Sequence, residues 1–384
     1  MMEKQETPNV KLLLEDNHSA STLKQILTAH SGNYHAIVLQ DFPDPDAISC
    51  AYTHQLISAE YGIETDILYA GRVSHEQNIA LVRLLDLELV KYQGELPRQY
   101  DAAVFIDNQG TTCEAITTAL EKAGVTPLIV IDHHEPQDRL QPTFLDVRAV
   151  GATATIYAGY LTEGVIEMNP AKKEFTIAAT GLMHGLITDT NNFIHAGKAD
   201  FQAAAYLSQF VDAPMLDQIM NQSHTKQVME VIHKALGNRI LVENFSIAGA
   251  GYLRAEDRDA IPQAADFLLT EGIVHTAIVY GIVIHNDQVE KLEGSMRTSK
   301  LTINPDEFIK EAFGKNTAGH YYGGGKVSAG GFEIPVGFLS GNHADDYRDL
   351  KWRVFDSQVK RKILAKIGVT AEAESERRAR NGQR

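Results

Sequence analysis

Apolar positions along the chain change period repeatedly, and the changes predict alternating strands and helices. Residues 11–30 read as an opening helix, with Leu12, Leu13, Leu14, Leu23 and Ile26 as its apolar positions. The short apolar run 36–39 reads as a strand, and residues 47–61 follow with helical spacing through Ile48, Ala51, Tyr52 and Leu56. Residues 63–69 are strand-like and 78–85 helical; 102–106 and 128–131 are buried-strand runs flanking a helix around 114–123. Strand–helix alternation of this kind predicts a mostly parallel sheet covered on both faces.

Residues 199–236 mix polar and apolar positions at helical spacing with no strand signal, and read as a connector. Strand runs return at 245–248, 276–284, 289–296 and 332–338, broken by a glycine-rich stretch at 319–331. Residues 345–367 read as one helix carrying the single tryptophan, Trp352, and 371–384 as a charged tail without apolar anchors, expected to fray. The expected fold class is therefore α/β. A doubly wound, mostly parallel domain (1–198) leads through a helical linker (199–236) to a smaller α/β domain (237–345), with a closing helix and tail (346–384).

Composition narrows the function classes. With 44% hydrophobic and 22% charged residues, the chain is expected to be globular. Cys50 and Cys113 have no ligand-like spacing, which argues against a disulfide framework and a thiolate zinc site and suits a reducing compartment. No apolar stretch is long enough to span a membrane. Residues 1–9 are polar, without a signal-peptide core, so the expected location is the cytoplasm. The net charge is −15, with no basic stripe of the kind that grips long nucleic acid, so a small ligand is expected rather than a long duplex.

The informative feature is where the acids sit. Ligands of an open parallel sheet bind beyond the carboxyl ends of its strands. Three predicted strands run into carboxylates there: Gln40-Asp41-Phe42-Pro43-Asp44-Pro45-Asp46, then Asp107, then Asp132-His133-His134. A further acid, Asp189, follows the apolar segment 177–187. Taken singly, each reads as a helix cap or a solvated loop residue. Together they would repel one another unless cations neutralised them, and carboxylates with imidazole suit Mn²⁺ or Mg²⁺.

These residues resemble the motifs of the DHH phosphoesterases, a family that includes RecJ-like nucleases, nanoRNase/pAp phosphatases, cyclic-dinucleotide phosphodiesterases and manganese pyrophosphatases. Pro43-Asp44-Pro45-Asp46-Ala47 looks like the first motif, Asp107 the second, Asp132-His133-His134 the third and Asp189 the fourth. Gly71 to Asn78, with His75 among them, resembles a segment of the small-nucleotide branch. The resemblance implies that Asp44, Asp46, Asp107, His133 and Asp189 hold two metal ions, with Asp107 bridging. It implies that His134 faces the scissile phosphate or protonates the leaving group, and that Asp132 orients the histidines. Where the family has a histidine four residues before the first motif's aspartate, this chain has Gln40, a neutral and weaker ligand.

The second half resembles the DHH-associated, substrate-binding domain. Gly294 to Ser299, with Ser295 and Arg297, looks like its phosphate-binding strand; a guanidinium fork suits phosphate. Gly323-Gly324-Gly325-Lys326 resembles its glycine-rich loop, with Lys326 where the family has histidine and His320 nearby as a partial substitute. The function this implies is two-metal hydrolysis of small nucleotides or short oligonucleotides. Pyrophosphate or polyphosphate hydrolysis and non-catalytic nucleotide sensing are the alternatives. Residues 199–236 are a candidate hinge. For the last helix, with Trp352, Val354 and Phe355, both a homodimer contact and packing on its own domain are open.

Overall fold

The computed structural model describes residues 18–73, 76–222, 225–285, 289–326, 328–341 and 345–369. Leu12, Leu13 and Leu14 of the expected opening helix, His75, and the tail 371–384 lie outside the described residues. The chain divides into two compact units, Met1–Ser223 and His224–Arg384.

The first unit is built on six strands, β1 (Tyr34–Val38), β2 (Glu64–Tyr69), β3 (Leu89–Lys91), β4 (Ala102–Ile106), β5 (Thr126–Asp132) and β6 (Phe144–Val147). Their order is β3-β2-β1-β4-β5-β6, and every pairing is parallel. Among the described residues eight helices accompany them: α1 (His18–Ala29), α2 (Pro45–Glu60), α3 (Glu76–Leu84), α4 (Glu114–Lys122), α5 (Thr153–Thr162), α6 (Lys173–Asp189), α7 (Lys198–Leu207) and α8 (Ala213–Met220). Strand side chains alternate between two cores, as the pleat requires. Ile37, Val104, Ile106, Ile129 and Ile131 pack with α1, α2, α5 and α6, while Ala36, Val38, Phe105 and Val130 pack with Ile116 and Leu120 of α4. The doubly wound expectation holds. Two edge strands were invisible to the pattern: β3 is three residues long, and Asp146 interrupts β6.

The second unit begins at α9 (Lys226–Asn238) and carries β7 (Ile240–Val242), β8 (Phe245–Arg254), α10 (Ala260–Leu269), β9 (Thr276–Ile284) and β10 (Glu290–Thr298). It continues with α11 (Pro305–Phe313), β11 (Gly323–Gly325), β12 (Ala329–Pro335) and α12 (Asp345–Lys366). Its sheet, β11-β12-β10-β9-β8-β7, is mixed: β8 and β9 pair in parallel and the other pairings are antiparallel. One face packs on α11 and α12, including Val359 and Ile363, and the other on α9 and α10. The closing helix thus packs on its own sheet, and Trp352 lies against Tyr280 with ring centroids 6.1 Å apart.

The segment read as a linker is three helices, α7 and α8 packed on α6, and α9 packed on β8 and α10. Among the described residues, no helix is long and apolar enough to cross a membrane.

Candidate metal centre

The predicted acids are brought to the carboxyl ends of β1, β4 and β5. Asp44 caps α2: its Oδ1 accepts from the Ala47 N–H at 3.0 Å, and Pro45 starts the helix without needing a donor. The cap expected of a lone aspartate is therefore present at Asp44 alongside its place in the cluster. Two residues later, Asp46 is fully buried. Its two carboxylate oxygens accept from the first turn of α5, Oδ2 from Thr153 N–H at 2.6 Å and Oδ1 from Ala154 N–H at 2.9 Å. An anion at that helix end is favoured by the exposed amides and the dipole.

Asp107 follows β4 in the left-handed region (φ 58°), a conformation that aspartate tolerates better than most residues. It is buried, and Oδ1 accepts from the Thr153 hydroxyl at 2.8 Å. Asp132 ends β5; its Oδ1 accepts from the His133 N–H at 2.8 Å and from His134 Nδ1 at 2.8 Å, and its Oδ2 from Gln109 Nε2 at 2.7 Å.

His133 Nδ1 lies 3.2 Å from the Val150 carbonyl, which can only accept, so in the neutral ring Nε2 presents its lone pair. Nε2 is 3.2 Å from Asp189 Oδ2 and 3.6 Å from Asp107 Oδ1. Asp189 comes from the last turn of a helix, α6, because the apolar segment before it is helical. That helix can lie close enough only through glycine: a Cβ on Gly185 would stand 2.8 Å from Asp46 Cα.

The electrostatics are those of a site short of positive charge. Burial, and then the neighbouring Asp189, push Asp44 up to about 6 and Asp46 up to about 8. Burial and then Asp44, Asp46 and Asp189 push Asp107 far above the carboxylate range. Burial opposes protonation of His133, yet the nearby carboxylates of Asp189 and Asp46 outweigh it and raise the ring to about 9. Asp132 is the exception: burial would raise it, but hydrogen bonds from His134 and Gln109 hold it low.

Asp107, His133 and His134 form one group whose ligand atoms lie within 4.8 Å of one another, and Asp46, His133 and Asp189 form a second. Asp107 Oδ2 and His133 Nε2 are buried without a hydrogen-bond partner among the described residues. Hard oxygen donors with one imidazole nitrogen, two of the atoms left unsatisfied, fit a divalent cation such as Mn²⁺ or Mg²⁺. Gln40 is half-buried just beyond β1. The reading of the sequence missed Thr153, Gln109 and the Val150 carbonyl. The small residues Gly151-Ala152-Thr153, which open a helix directly after a strand, were the available signal.

In the second unit, Ser295, Arg297 and Gly323 line one cavity of about 450 Å³, together with Arg258, Glu293 and Tyr322. Arg297 donates to Asp266 Oδ1 at 2.8 Å and to Ser295 Oγ at 2.7 Å. Glu293 is buried between Arg258 and His285, whose Nε2 is 2.5 Å from Oε1. Gly324, Gly325, Lys326 and His320 are not among its lining residues, and Lys326 and His320 are exposed. The glycine run has a packing cause of its own: a Cβ on Gly323 would meet the Gly331 carbonyl at 2.2 Å, and one on Gly325 the Ala329 carbonyl at 2.7 Å. The Gly325 N–H is taken by Asp306 Oδ1 at 3.1 Å.

Comparison with known proteins gives a fold and a relative. No known family model matches the chain. An uncharacterised protein of Methanocaldococcus jannaschii is 34% identical over 333 residues, 86% of this chain and 63% of that protein. The chain thus spans less than two thirds of the length of this curated relative. Among solved structures, exonuclease RecJ bound to manganese matches 91% of this chain and 96% of its own with a TM-score of 0.45 and 14% identity. An exopolyphosphatase-related protein from Bacteroides fragilis matches 90% of this chain and 98% of its own, with a TM-score of 0.61 and 13% identity. That last likeness is one of fold: a parallel α/β unit followed by a unit with a mixed sheet.

Proposed function

We propose that this chain is a metal-dependent phosphoesterase that hydrolyses small nucleotides or short oligonucleotides. The feature that carries the reading is the cluster of Asp46, Asp107, His133 and Asp189, in which the buried atoms Asp107 Oδ2 and His133 Nε2 have no hydrogen-bond partner among the described residues. In this reading Asp44, Asp46, Asp107, His133 and Asp189 would hold the metal ions, with Gln40 as a weaker oxygen donor beside them. When bound, such ions supply neutralisation of phosphoryl charge and a water of lowered pKa.

The remaining steps belong to side chains. His134 is 41% exposed, and its Nδ1 is fixed by Asp132 at 2.8 Å, so Nε2 points away from that carboxylate toward a bound phosphate. Asp132 stabilises the imidazolium that gives a proton to the leaving oxygen. Arg297, on β10, binds a second phosphate or a nucleotide edge by exchanging its ion pair with Asp266 for the ligand. The acidic balance supports short substrates over long strands.

Hydrolysis of pAp, dinucleotides, linear and cyclic di-AMP and di-GMP, a longer single strand and pyrophosphate, each with Mn²⁺, tests this. Turnover of the short nucleotides that vanishes in Asp107→Ala is the expected result. Tight nucleotide binding with no turnover of any substrate would overturn it in favour of a sensor. A polyphosphate or pyrophosphate substrate is the second reading, supported by the B. fragilis fold neighbour's name. It predicts turnover that ignores the base.

A further inference from the structure

One short segment, residues 150–155, reaches three of the cluster's side chains from the same side. The Val150 carbonyl accepts from His133 Nδ1 at 3.2 Å. The Thr153 N–H donates to Asp46 Oδ2 at 2.6 Å, and its hydroxyl donates to Asp107 Oδ1 at 2.8 Å. The Ala154 N–H holds the other oxygen of Asp46 at 2.9 Å. From these contacts we propose that Thr153 is a positioning residue of the metal centre, orienting Asp46 and Asp107 together. The proposal rests on the metal-dependent reading above.

The segment is itself pinned. Asp200 Oδ1 accepts from the Gly151 N–H at 3.0 Å and from the Thr155 hydroxyl at 2.6 Å, while its Oδ2 accepts from the Gly197 N–H at 2.7 Å. A Cβ on Gly151 would stand 2.6 Å from Asp200 Oδ2, so the approach needs glycine. Thr153 is completely buried, and its χ1 is further stiffened by β-branching. Its hydroxyl therefore has little freedom to leave Asp107. With Oδ1 of Asp107 occupied by a neutral donor, Oδ2 is the oxygen left without a partner. Thr153 thus fixes the Asp107 carboxylate through Oδ1, the oxygen facing His133 and His134, and ties its orientation to that of Asp46. Outer partners of this kind fix ligand orientation, and losing one typically weakens metal binding about ten- to a hundredfold.

The test is calorimetric Mn²⁺ titration of the full chain for wild type, Thr153→Val and Thr153→Ser, with metal-free melting and steady-state kinetics on the same preparations. Valine keeps the shape without the hydroxyl; serine keeps the hydroxyl. The expected result is roughly ten- to a hundredfold weaker Mn²⁺ binding in the valine variant and near-normal binding in the serine variant. The valine variant should also lose kcat at saturating substrate more than it raises KM. Should the valine variant not fold, Thr153→Ala against Thr153→Ser isolates the hydroxyl in the same way. A folded valine or alanine variant that binds Mn²⁺ like wild type overturns the positioning role. Wild type that binds no Mn²⁺ overturns the metal-centre reading instead, so the two failures are distinct.

Discussion

The acid cluster of the first unit and the arginine cavity of the second differ in how their charges are balanced. In the cluster, Asp46, Asp107 and Asp189 gather round His133, with His134 beside Asp107, and burial pushes Asp44, Asp46 and Asp107 toward their protonated forms. In the cavity, Arg297 is paired with Asp266, Arg258 with Glu293, and Lys291 with Glu333. The first site as protein alone balances its charge by holding protons on its carboxyls, which a divalent cation would displace. The second is balanced by ion pairs, and a ligand must displace an existing pair. The difference teaches where each kind of binding energy comes from: exchange of protons for a cation in one place, exchange of partners in the other.

The largest expected effect is at Asp107. Asp107→Asn should lower hydrolysis by on the order of a thousandfold, the scale at which electrostatic stabilisation of a transition state is lost. The comparison adds a second, opposite sign. Without metal, the variant should melt above wild type at neutral pH, since folding no longer has to protonate a buried carboxyl there; with Mn²⁺, wild type should rise and the variant should not. A metal-free variant that melts lower would break the claim that this cluster is charge-frustrated.

Arg297→Ala should reduce kcat/KM by about ten- to a hundredfold, the worth of a charge-assisted hydrogen bond, while leaving Mn²⁺ affinity unchanged. An equal loss of Mn²⁺ binding would erase the distinction between the two sites. Gly185→Ala should cost about 1–3 kcal/mol, as overpacking at a close helix contact does, and should weaken Mn²⁺ binding by shifting Asp46. Denaturant unfolding with and without the ion measures both.

The smallest effect sharpens the comparison through pH. Burial holds His35 down at about 4 and His54 down at about 3, against 6.5 for a free imidazole. Below about pH 6.5 the unfolded chain takes up these protons and the fold does not, so stability falls as pH falls. Between about pH 6.5 and 5.5 the loss should be about 1 kcal/mol for each histidine. Saturating Mn²⁺ keeps the carboxylates ionised during the measurement, and an unchanged urea midpoint over that range would contradict the assignment.

Much of the first site was legible because a parallel sheet delivers its strand ends to one edge. Asp44, Asp46, Asp107 and Asp132-His133-His134 each follow an apolar run, so order along the chain translated into position. Asp189 was found by its neighbours in sequence, although it arrives on a helix whose approach depends on Gly185, a non-local contact that periodicity does not register. Thr153 was invisible for the same reason, since its partners lie just after β4 and in the first turn of α2. In the second unit, Ser295 and Arg297 were legible through the resemblance of residues 294–299 to a phosphate-binding strand, and on β10 they are alternate residues that face the same way. The glycine run was a weaker guide, because the closeness of β11 to β12 demands glycine whether or not an anion binds.

The strand order of the first unit has a kinetic consequence. β1 is paired between β2 and β4, and β4 between β1 and β5, so the sheet grows by long right-handed crossovers rather than hairpins. Contacts of such sequence separation form slowly, because chain closure must precede any gain from pairing. The centre draws on residues from Asp44 to Asp189 and exists only when β1, β4, β5 and α6 have met. On refolding, helical signal should return well before the capacity to bind Mn²⁺, and the ion should slow unfolding far more than it speeds folding.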